Sequence, residues 1–343
     1  MPRIALAPLT QWITEAALAH ADDLPAHLMT RLQISRRQAS GLLRKLVAMQ
    51  WLCSTGTPRK PRYVPGPLRQ VVRRYAIAGL QEDGPWRHDF APAFDLKPEV
   101  RRMAQHAFTE LLNNAVDHSG GRSVTVSMRQ TPVQMQLLVS DDGLGVFERI
   151  ARDFAINDPA LAMLELSKGK LTSDPQRHLG HGLFFCSRLA DVFDIHANQA
   201  AFQCRGWDQR RWHAGRPAAR SGTSVYLAIA VDTLCTLDTV LRAHSGSDNS
   251  YRFERTSVPL NLLGSGEHSD RGERTLASRA DARRVASRLP QFNVAELDFN
   301  GITDIGHAFA DELFRVFRGQ HPGLQLLPVG MAPRVAEMVA SVG

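Results

Sequence analysis

The sequence predicts a multidomain α/β protein, and three observations carry that reading. At 343 residues the chain exceeds one ordinary core, and domains of roughly 100 to 150 residues imply two or three of them. Charge is lopsided: residues 1–80 hold 12 Lys plus Arg against three acids, a net +9, which leaves 29 against 31, or −2, for everything after. Patterning also changes, from helical spacing at the start to β-patterned runs alternating with helices further on. Hydrophobic content of 43% and charged content of 22% describe a soluble globular protein. No apolar run approaches the roughly 18 residues that span a bilayer, and the opening MPRIALAPLTQW breaks at Pro8 and Thr10, too soon for a secretory signal. A cytoplasmic location with no membrane partner is therefore expected. Cys53, Cys186, Cys204 and Cys235 show no CxxC pairing, which favours buried thiols over disulfides or zinc.

The basic N-terminal segment, residues 1–82, reads as a winged helix-turn-helix. LTQWITEAALAHA and LPAHLMTRLQ have helical periodicity, and ISRRQASGLLRKLVAMQWL is a further helix that Ser35 can cap. WLCSTG and RYVPG then flank TPRK as strand, basic turn and strand. The last helix puts Arg36, Arg37, Gln38 and Ser40 on its exposed first turns, with Arg44 further along, where a recognition helix meets base edges. On the wing, Arg59, Lys60 and Arg62 are placed to meet phosphate. A net +9 suits phosphate neutralisation, so double-stranded DNA is the expected partner; the bland alternative is a winged helix used for protein contact. PLRQVVRRYAIAGLQEDG, residues 67–84, reads as a connecting helix ending at Gly84-Pro85.

The middle segment, residues 83–232, carries the chemistry. In FTELLNNAVDHSGG, Glu110, Asn114 and Asp117 share one helix face, while Phe108, Leu111, Leu112 and Ala115 mark a different, apolar one. Oxygen ligands for a hard cation plus a base would look like this; so would a solvated polar face. Two β-patterned runs follow, RSVTVSMRQ and VQMQLLVSDDGLGVFERI, the second leading into Asp141, Gly143 and Gly145. HLGHGLFFCSRLADVF opens a helix after Gly180 and Gly182, and SGTSVYLAI is a strand entered through Gly222 and Thr223. Glycines before a helix let backbone N–H groups approach phosphate, although they also serve ordinary turns.

In this order the pieces resemble the GHKL ATPase family, the fold shared by gyrase, MutL, histidine kinases and the anti-sigma-factor serine kinases. ELLNNAVDH matches the family's N box, DDGLG its DxGxG box, GHGL its second glycine box and GTSV its final element. The resemblance covers about residues 85 to 230 and implies a Bergerat-type α/β sandwich that binds ATP and Mg²⁺. It implies Asn114 as the Mg²⁺ ligand and Glu110 as the base orienting water or a hydroxyl, with Asp117 on the same face. Asp141 would accept the adenine amino group, and Gly143 and Gly145 would leave it room. Gly180, His181, Gly182 and Leu183 would line the phosphates at a helix N-terminus, and Thr223 would support the adenine. Between the glycine boxes lies a lid in which Lys168, Lys170, Thr172 and Ser173 are candidates to reach the triphosphate, with Arg177 and His178 beside them; solvated loop charge is the competing reading. His106 falls inside the N-box helix and reads as packing, and a winged helix stands where a histidine kinase keeps its dimerising hairpin.

The tail, residues 233–343, alternates strand and helix with a strand at VAELDFNG and resembles a STAS-like domain, similar to anti-sigma-factor antagonists. His307 and Ala308 fall where such an antagonist presents its serine; Thr303 is the nearest hydroxyl. HSGSDNS, His244 to Ser250, reads as a linker. Together these expectations describe an ATP-binding, slowly hydrolysing DNA-binding regulator with a tail that senses or recruits a protein. The alternatives are an anti-sigma-type serine/threonine kinase acting on a partner or on its own tail, and an assembly factor that forms a homodimer on ATP.

Overall fold

The computed structural model describes residues 5–57, 59–173, 176, 179–218, 220–246, 251–263 and 275–342. Arg177, His178 and the end of the expected His244–Ser250 linker lie outside the described residues. The chain divides into two compact units, Met1–Gly143 with Ser224–Leu234, and Leu144–Thr223 with Cys235–Gly343.

The first unit opens with helices α1 (Leu6–Thr10), α2 (Ile13–Ala19), α3 (Leu24–Leu32) and α4 (Arg36–Ala48), followed by the antiparallel hairpin of β1 (Leu52–Thr57) and β2 (Lys60–Pro65). The first predicted helix is broken before Ile13, where Trp12 leaves helical geometry at φ −134° and its ring lies 4.1 Å beneath the Arg31 guanidinium. α4 begins with a reciprocal cap: Ser35 Oγ accepts from Gln38 N at 3.3 Å and Gln38 Oε1 accepts from Ser35 N at 2.9 Å, which satisfies two otherwise orphaned amides. Ile13, Leu24, Leu28, Leu42, Leu43, Leu46 and Trp51 form one core beneath these elements. Each such apolar side chain contributes about 1.5–3 kcal/mol of transfer free energy.

Residues 67–84 do not form the expected connecting helix. Arg69–Ala76 is a strand, β3, paired antiparallel with β4 (Ser123–Gln130) along all eight residues. The i, i+4 spacing of Val71 and Tyr75 that suggests a helix is equally a strand's i, i+2, i+4 face, and two adjacent valines favour the strand. Val71 is fully buried, and the Tyr75 hydroxyl donates to Asp89 Oδ2 at 2.6 Å. After β3 come the short α5 (Asp83–Pro85), a π-helical turn at Trp86–Phe90 and the long α6 (Pro98–His118). Trp86 and Phe90 pack against Phe108 of α6 with ring centroids 5.3 and 5.0 Å apart. β4 turns into β5 (Gln134–Asp141), and α6 covers both strands.

The chain then enters the second unit through α7 (Val146–Phe154), α8 (Pro159–Lys168) and α9 (Gly182–Leu189), and through the antiparallel strands β6 (Val192–Ala197), β7 (Ala200–Arg205) and β8 (Trp212–Ala214). It returns as β9 (Thr223–Ala230), which pairs antiparallel with β5 and gives the first unit a sheet in the order β3-β4-β5-β9. The rest of the second unit comprises α10 (Leu237–Ala243), β10 (Arg255–Pro259), β11 (Thr275–Leu276), α11 (Arg279–Ala286), β12 (Val294–Asp298) and β13 (Asp304–Ile305). It closes with α12 (His307–Ala310), a π-helical stretch at Asp311–Phe317, α13 (Arg318–Gln320), β14 (Gln325–Val329) and α14 (Pro333–Ala340). β10, β12 and β14 form a parallel sheet with β12 in the middle, and β11 pairs with β13. Along β12, Ala295 and Leu297 are fully buried on one face while Glu296 and Asp298 alternate onto the other.

Candidate functional site

α6 starts at Pro98, whose missing N–H costs nothing in the first turn. Val100, Met103, Ala104, Ala107, Phe108, Leu111, Leu112 and Ala115 bury one stripe of it. On the facing stripe Glu110 and Asn114 are half-buried and Asp117 is exposed. The Asn114 Nδ2 amide is buried with no hydrogen-bond partner among the described residues, a cost of about 1–3 kcal/mol unless something else accepts from it. His106 lies earlier on the helix, where burial pushes its pKa below the usual imidazole value; its Nε2 is also without a partner.

The loop after β5 is clasped onto the turn that ends α6. Ser119 Oγ donates to Ala115 O at 2.5 Å and accepts from Gly121 N at 3.0 Å. Asp142 accepts from Arg122 N, Ser123 N and Ser123 Oγ at 2.7, 2.9 and 2.6 Å. The Ser123 bonds above all hold its carboxyl at about 2. A Cβ on Gly143 would stand 2.2 Å from Ser119 O, so only glycine lets the loop come this close. This clasp fixes Asp141, which is buried and accepts from Gly143 N at 2.9 Å, relative to the end of α6.

In the second unit, Gly145 has φ +92°, and a Cβ there would lie 2.7 Å from Asn198 Nδ2. Asn198 donates to Leu144 O at 2.8 Å and Glu148 Oε2 at 3.2 Å, and accepts from Gly222 N at 3.2 Å. Thr223 Oγ1 accepts from Val146 N at 3.0 Å, covering an open amide at the start of α7. Sequence reasoning missed Asn198 and Asp142. The one available signal for Asn198 was an Asn-Gln pair at a β-turn, consistent with its left-handed φ of 51°.

Gly180, at φ +67°, passes so close to Leu171 that a Cβ would sit 2.7 Å from its N and O atoms. His181 follows as the N-cap of α9, and Gly182 and Leu183 form its first turn. The His181 ring lies edge-on to Phe253 at 4.9 Å and to Phe185 at 6.0 Å. Burial, and next the nearby Lys170 charge, push its pKa down to about 4, so the ring is neutral at pH 7.

The lid lysines sit differently from expectation. Lys168, at the end of α8, is fully buried: its Nζ donates to Glu165 Oε1 at 2.6 Å, Ser287 O at 2.9 Å and Arg284 O at 3.2 Å. All three ammonium protons are thereby used. Burial lowers its pKa and the Glu165 carboxylate opposes that. Arg288 completes the cluster, donating to Glu165 Oε2 at 3.0 Å and Gly169 O at 2.9 Å. Thr256 Oγ1 donates to Lys168 O at 2.7 Å. Lys170, expected to reach a triphosphate, instead donates to Gln291 O at 2.6 Å with its ammonium 4.4 Å from the Phe292 centroid. The reason is local: Gly169 and Lys170 both take positive φ, which turns the chain onto Phe253 and Phe292. Thr172 is half-buried and Ser173 exposed.

Arg36, Arg37, Ser40, Arg44, Arg59, Lys60 and Arg62 are exposed, whereas Gln38 is half-buried and engaged in the Ser35 cap. Arg62 also faces Asp22 at 3.5 Å.

The donor set around Asn114 suits Mg-ATP. Among the described residues no group of three His, Cys, Asp or Glu could hold a metal. A Mg²⁺ ion would therefore draw its ligands from phosphate, water and one or two protein oxygens, its ordinary habit. Within the first unit, the unmet Asn114 Nδ2 is a donor that suits a phosphate oxygen, and the Oδ1 of the same amide is the oxygen a Mg²⁺ ion would take.

Residues 84–204 match the histidine kinase-like ATPase domain, and residues 281–335 match a STAS-like domain of unknown function. No curated protein matches the chain. The chain thus carries a histidine kinase-like ATPase domain, which implies ATP binding and a regulatory role, ahead of a STAS-like domain. No described helix is long and apolar enough to cross a membrane.

Proposed function

We propose that this chain is an ATP-responsive DNA-binding regulator, in which Mg-ATP held by the histidine kinase-like domain sets the state of its lid. Asn114 would ligate Mg²⁺, Asp141 would accept from the adenine amino group, and Glu110 would orient the attacking water. When bound, Mg²⁺ neutralises charge on the phosphates and so permits slow hydrolysis. The chain's own contribution is to hold the adenine end through the loop clasped by Asp142 and Gly143, and to present open amides at the start of α9.

The observation that favours a switch over a free-standing ATPase is the buried Glu165–Lys168–Arg288 cluster. It ties the last turn of the lid helix to backbone carbonyls at residues 284 and 287, inside the region matched by the STAS-like family. A ligand shifts such a contact only by as much as it prefers one arrangement of the lid. The DNA-binding part of the proposal is supported by α4 and the β1–β2 hairpin, which have the order of a winged helix-turn-helix and expose seven basic or hydroxyl side chains. The kinase alternative draws less support for the tail itself, because the loop leading into α12 offers His307 and Ala308 in place of a serine hydroxyl.

The test is duplex DNA affinity of the whole chain with and without Mg-ATP, beside Glu110→Ala and Asn114→Ala. Wild type and Glu110→Ala should show a nucleotide-dependent change of at least about fivefold, the lower end of ordinary coupling. Asn114→Ala should lose both that change and the magnesium-dependent calorimetric heat. Equal affinities with and without ATP in the wild type would refute the coupling. Arg36→Ala should lower the salt slope of DNA binding by about 0.9 if it meets one phosphate; an unchanged slope would reassign the N-terminal segment to protein contact.

A further inference from the structure

The second unit contains a cavity of about 400 Å³, within the size range of small-molecule sites. Its lining shares no residue with those assigned to the nucleotide, and Arg188 joins it from the far end of α9, the helix that begins at Gly182. Arg188 from the end of α9 enters it from one side, Arg210 and Cys235 border it, and Glu296, Asp298 and Ser257 face it from the parallel sheet.

Three features make this a built site. The first is the sheet itself. Parallel strands usually read apolar on both faces, yet Ser257, Glu296 and Asp298 put hydroxyl and carboxylate groups on one face at adjacent register positions. Pro259, Asp298 and Val329 end their three strands at this cavity, and the carboxyl ends of parallel strands are where open α/β sheets take ligands.

The second is Arg188. Its guanidinium lies 5.0 Å from the Phe184 ring centroid and makes no hydrogen bond or ion pair with any described residue. Burial pulls its pKa below the usual guanidinium range. The side chain is half-buried and borders the cavity, where its five donors match a carboxylate or phosphate.

The third is that the neighbouring charges are already engaged. Arg210 donates to Ser187 O and Ala190 O, both at 3.0 Å. Glu296 pairs with Arg255 at 3.2 Å, and Asp298 accepts from Asn300 N and Nδ2 at 2.9 and 2.8 Å. Burial raises the Asp298 pKa. This leaves the Arg188 donors, which lie in the field of Glu296 and Asp298 but are bonded to neither, open to a ligand anion, with carboxylate and hydroxyl acceptors opposite them.

We propose that this cavity binds a small organic anion whose carboxylate or phosphate pairs with Arg188 and whose hydroxyl or ammonium groups donate to Ser257, Glu296 and Asp298. It is a second ligand site, to which Arg188 comes from the ATPase-matched region and Glu296 and Asp298 come from the STAS-matched one.

The test uses the full chain and needs no variant to be decisive. Cys235 borders the cavity and Cys53 is exposed elsewhere, so maleimide alkylation of the two thiols, followed by mass spectrometry, reads occupancy against an internal control. Ribose 5-phosphate, L-glutamate and inorganic phosphate are the probes. One of the two organic anions is expected to slow Cys235 alkylation at least tenfold without affecting Cys53, and which one does so separates a sugar phosphate from an amino acid. Arg188→Met should weaken calorimetric binding of that probe by at least about tenfold, the scale of one charge-assisted pair. Alkylation of Cys235 at one rate with and without both organic probes at millimolar concentration would overturn the proposal. So would equal protection by inorganic phosphate alone, or undiminished protection in folded Arg188→Met.

Discussion

Replacing Lys168 by Met probes the contact that makes the lid part of a switch. The substitution keeps the length of the side chain but removes the ammonium that serves Glu165, Arg284 O and Ser287 O. Glu165 retains Arg288 at 3.0 Å, so its charge stays compensated and the full loss from breaking a buried pair, about 3–5 kcal/mol, does not apply. Two carbonyls are left without that donor, at about 1–3 kcal/mol each, which centres the expected loss near 4 kcal/mol. Glu165→Gln should cost more, because it strands both Lys168 and Arg288 without a carboxylate. The double variant should cost less than the sum, with a coupling of about 0.5–3 kcal/mol as expected for contacting residues. Hydrogen exchange resolved to peptides of α8 and α11 is the assay, since whole-chain melting of a protein with several domains is not two-state. At about 1.4 kcal/mol per tenfold, Lys168→Met should speed exchange in both peptides roughly 100-fold or more. Exchange within tenfold of wild type in a folded variant would refute the clamp, and a larger effect for Lys168→Met than for Glu165→Gln would refute the assignment of charges within it.

Ser35→Ala removes half of a reciprocal cap and should destabilise the N-terminal helices by about 1 kcal/mol, read as roughly fivefold faster hydrogen exchange in α4 peptides. Gly143→Ala drives a methyl to 2.2 Å from Ser119 O and should cost about 1–3 kcal/mol; a variant as stable as wild type would mean the loop is not clasped as described. His181 and His244 both have pKa values lowered from 6.5 to about 4 by burial. The unfolded chain therefore binds more protons between pH 6.5 and 4. Their contribution to stability is complete above pH 6.5 and declines as the pH falls toward 4. Histidine NMR titrations should place both rings near 4, and a ring titrating near 6.5 would show that it is not enclosed by the Phe184, Phe185 and Phe253 cluster.

Elements whose signals are local were legible in the sequence. The Ser35 cap, the two faces of α6, the turn from β5 into Gly143 and the buried strand at Val294–Asp298 each follow from residues within one or two turns of one another. What was not legible depends on partners far along the chain. Lys168 and Lys170 look like solvated or phosphate-seeking lid charges until the carbonyls of Arg284, Ser287 and Gln291 are brought to them. β3 was misread because its pairing partner β4 lies some fifty residues away and short apolar runs fit either period. Arg188 gave no signal at all, since an arginine late in a helix reads as a surface residue until the parallel sheet is brought to face it.

The eight-residue pairing of β3 with β4 bears on how the molecule can be dissected. β3 also meets the N-terminal helices, through Gln70 N donating to Thr14 Oγ1 at 3.0 Å and through the Arg73–Glu15 pair. A truncation after residue 82 would strip the outer strand from the β3-β4-β5-β9 sheet and leave the backbone of β4 as a bare template for aggregation. A fragment of the ATPase region that behaves well in isolation should therefore keep the chain from Arg69 onward, and the helical head should be expressed with that strand's partner supplied or not at all.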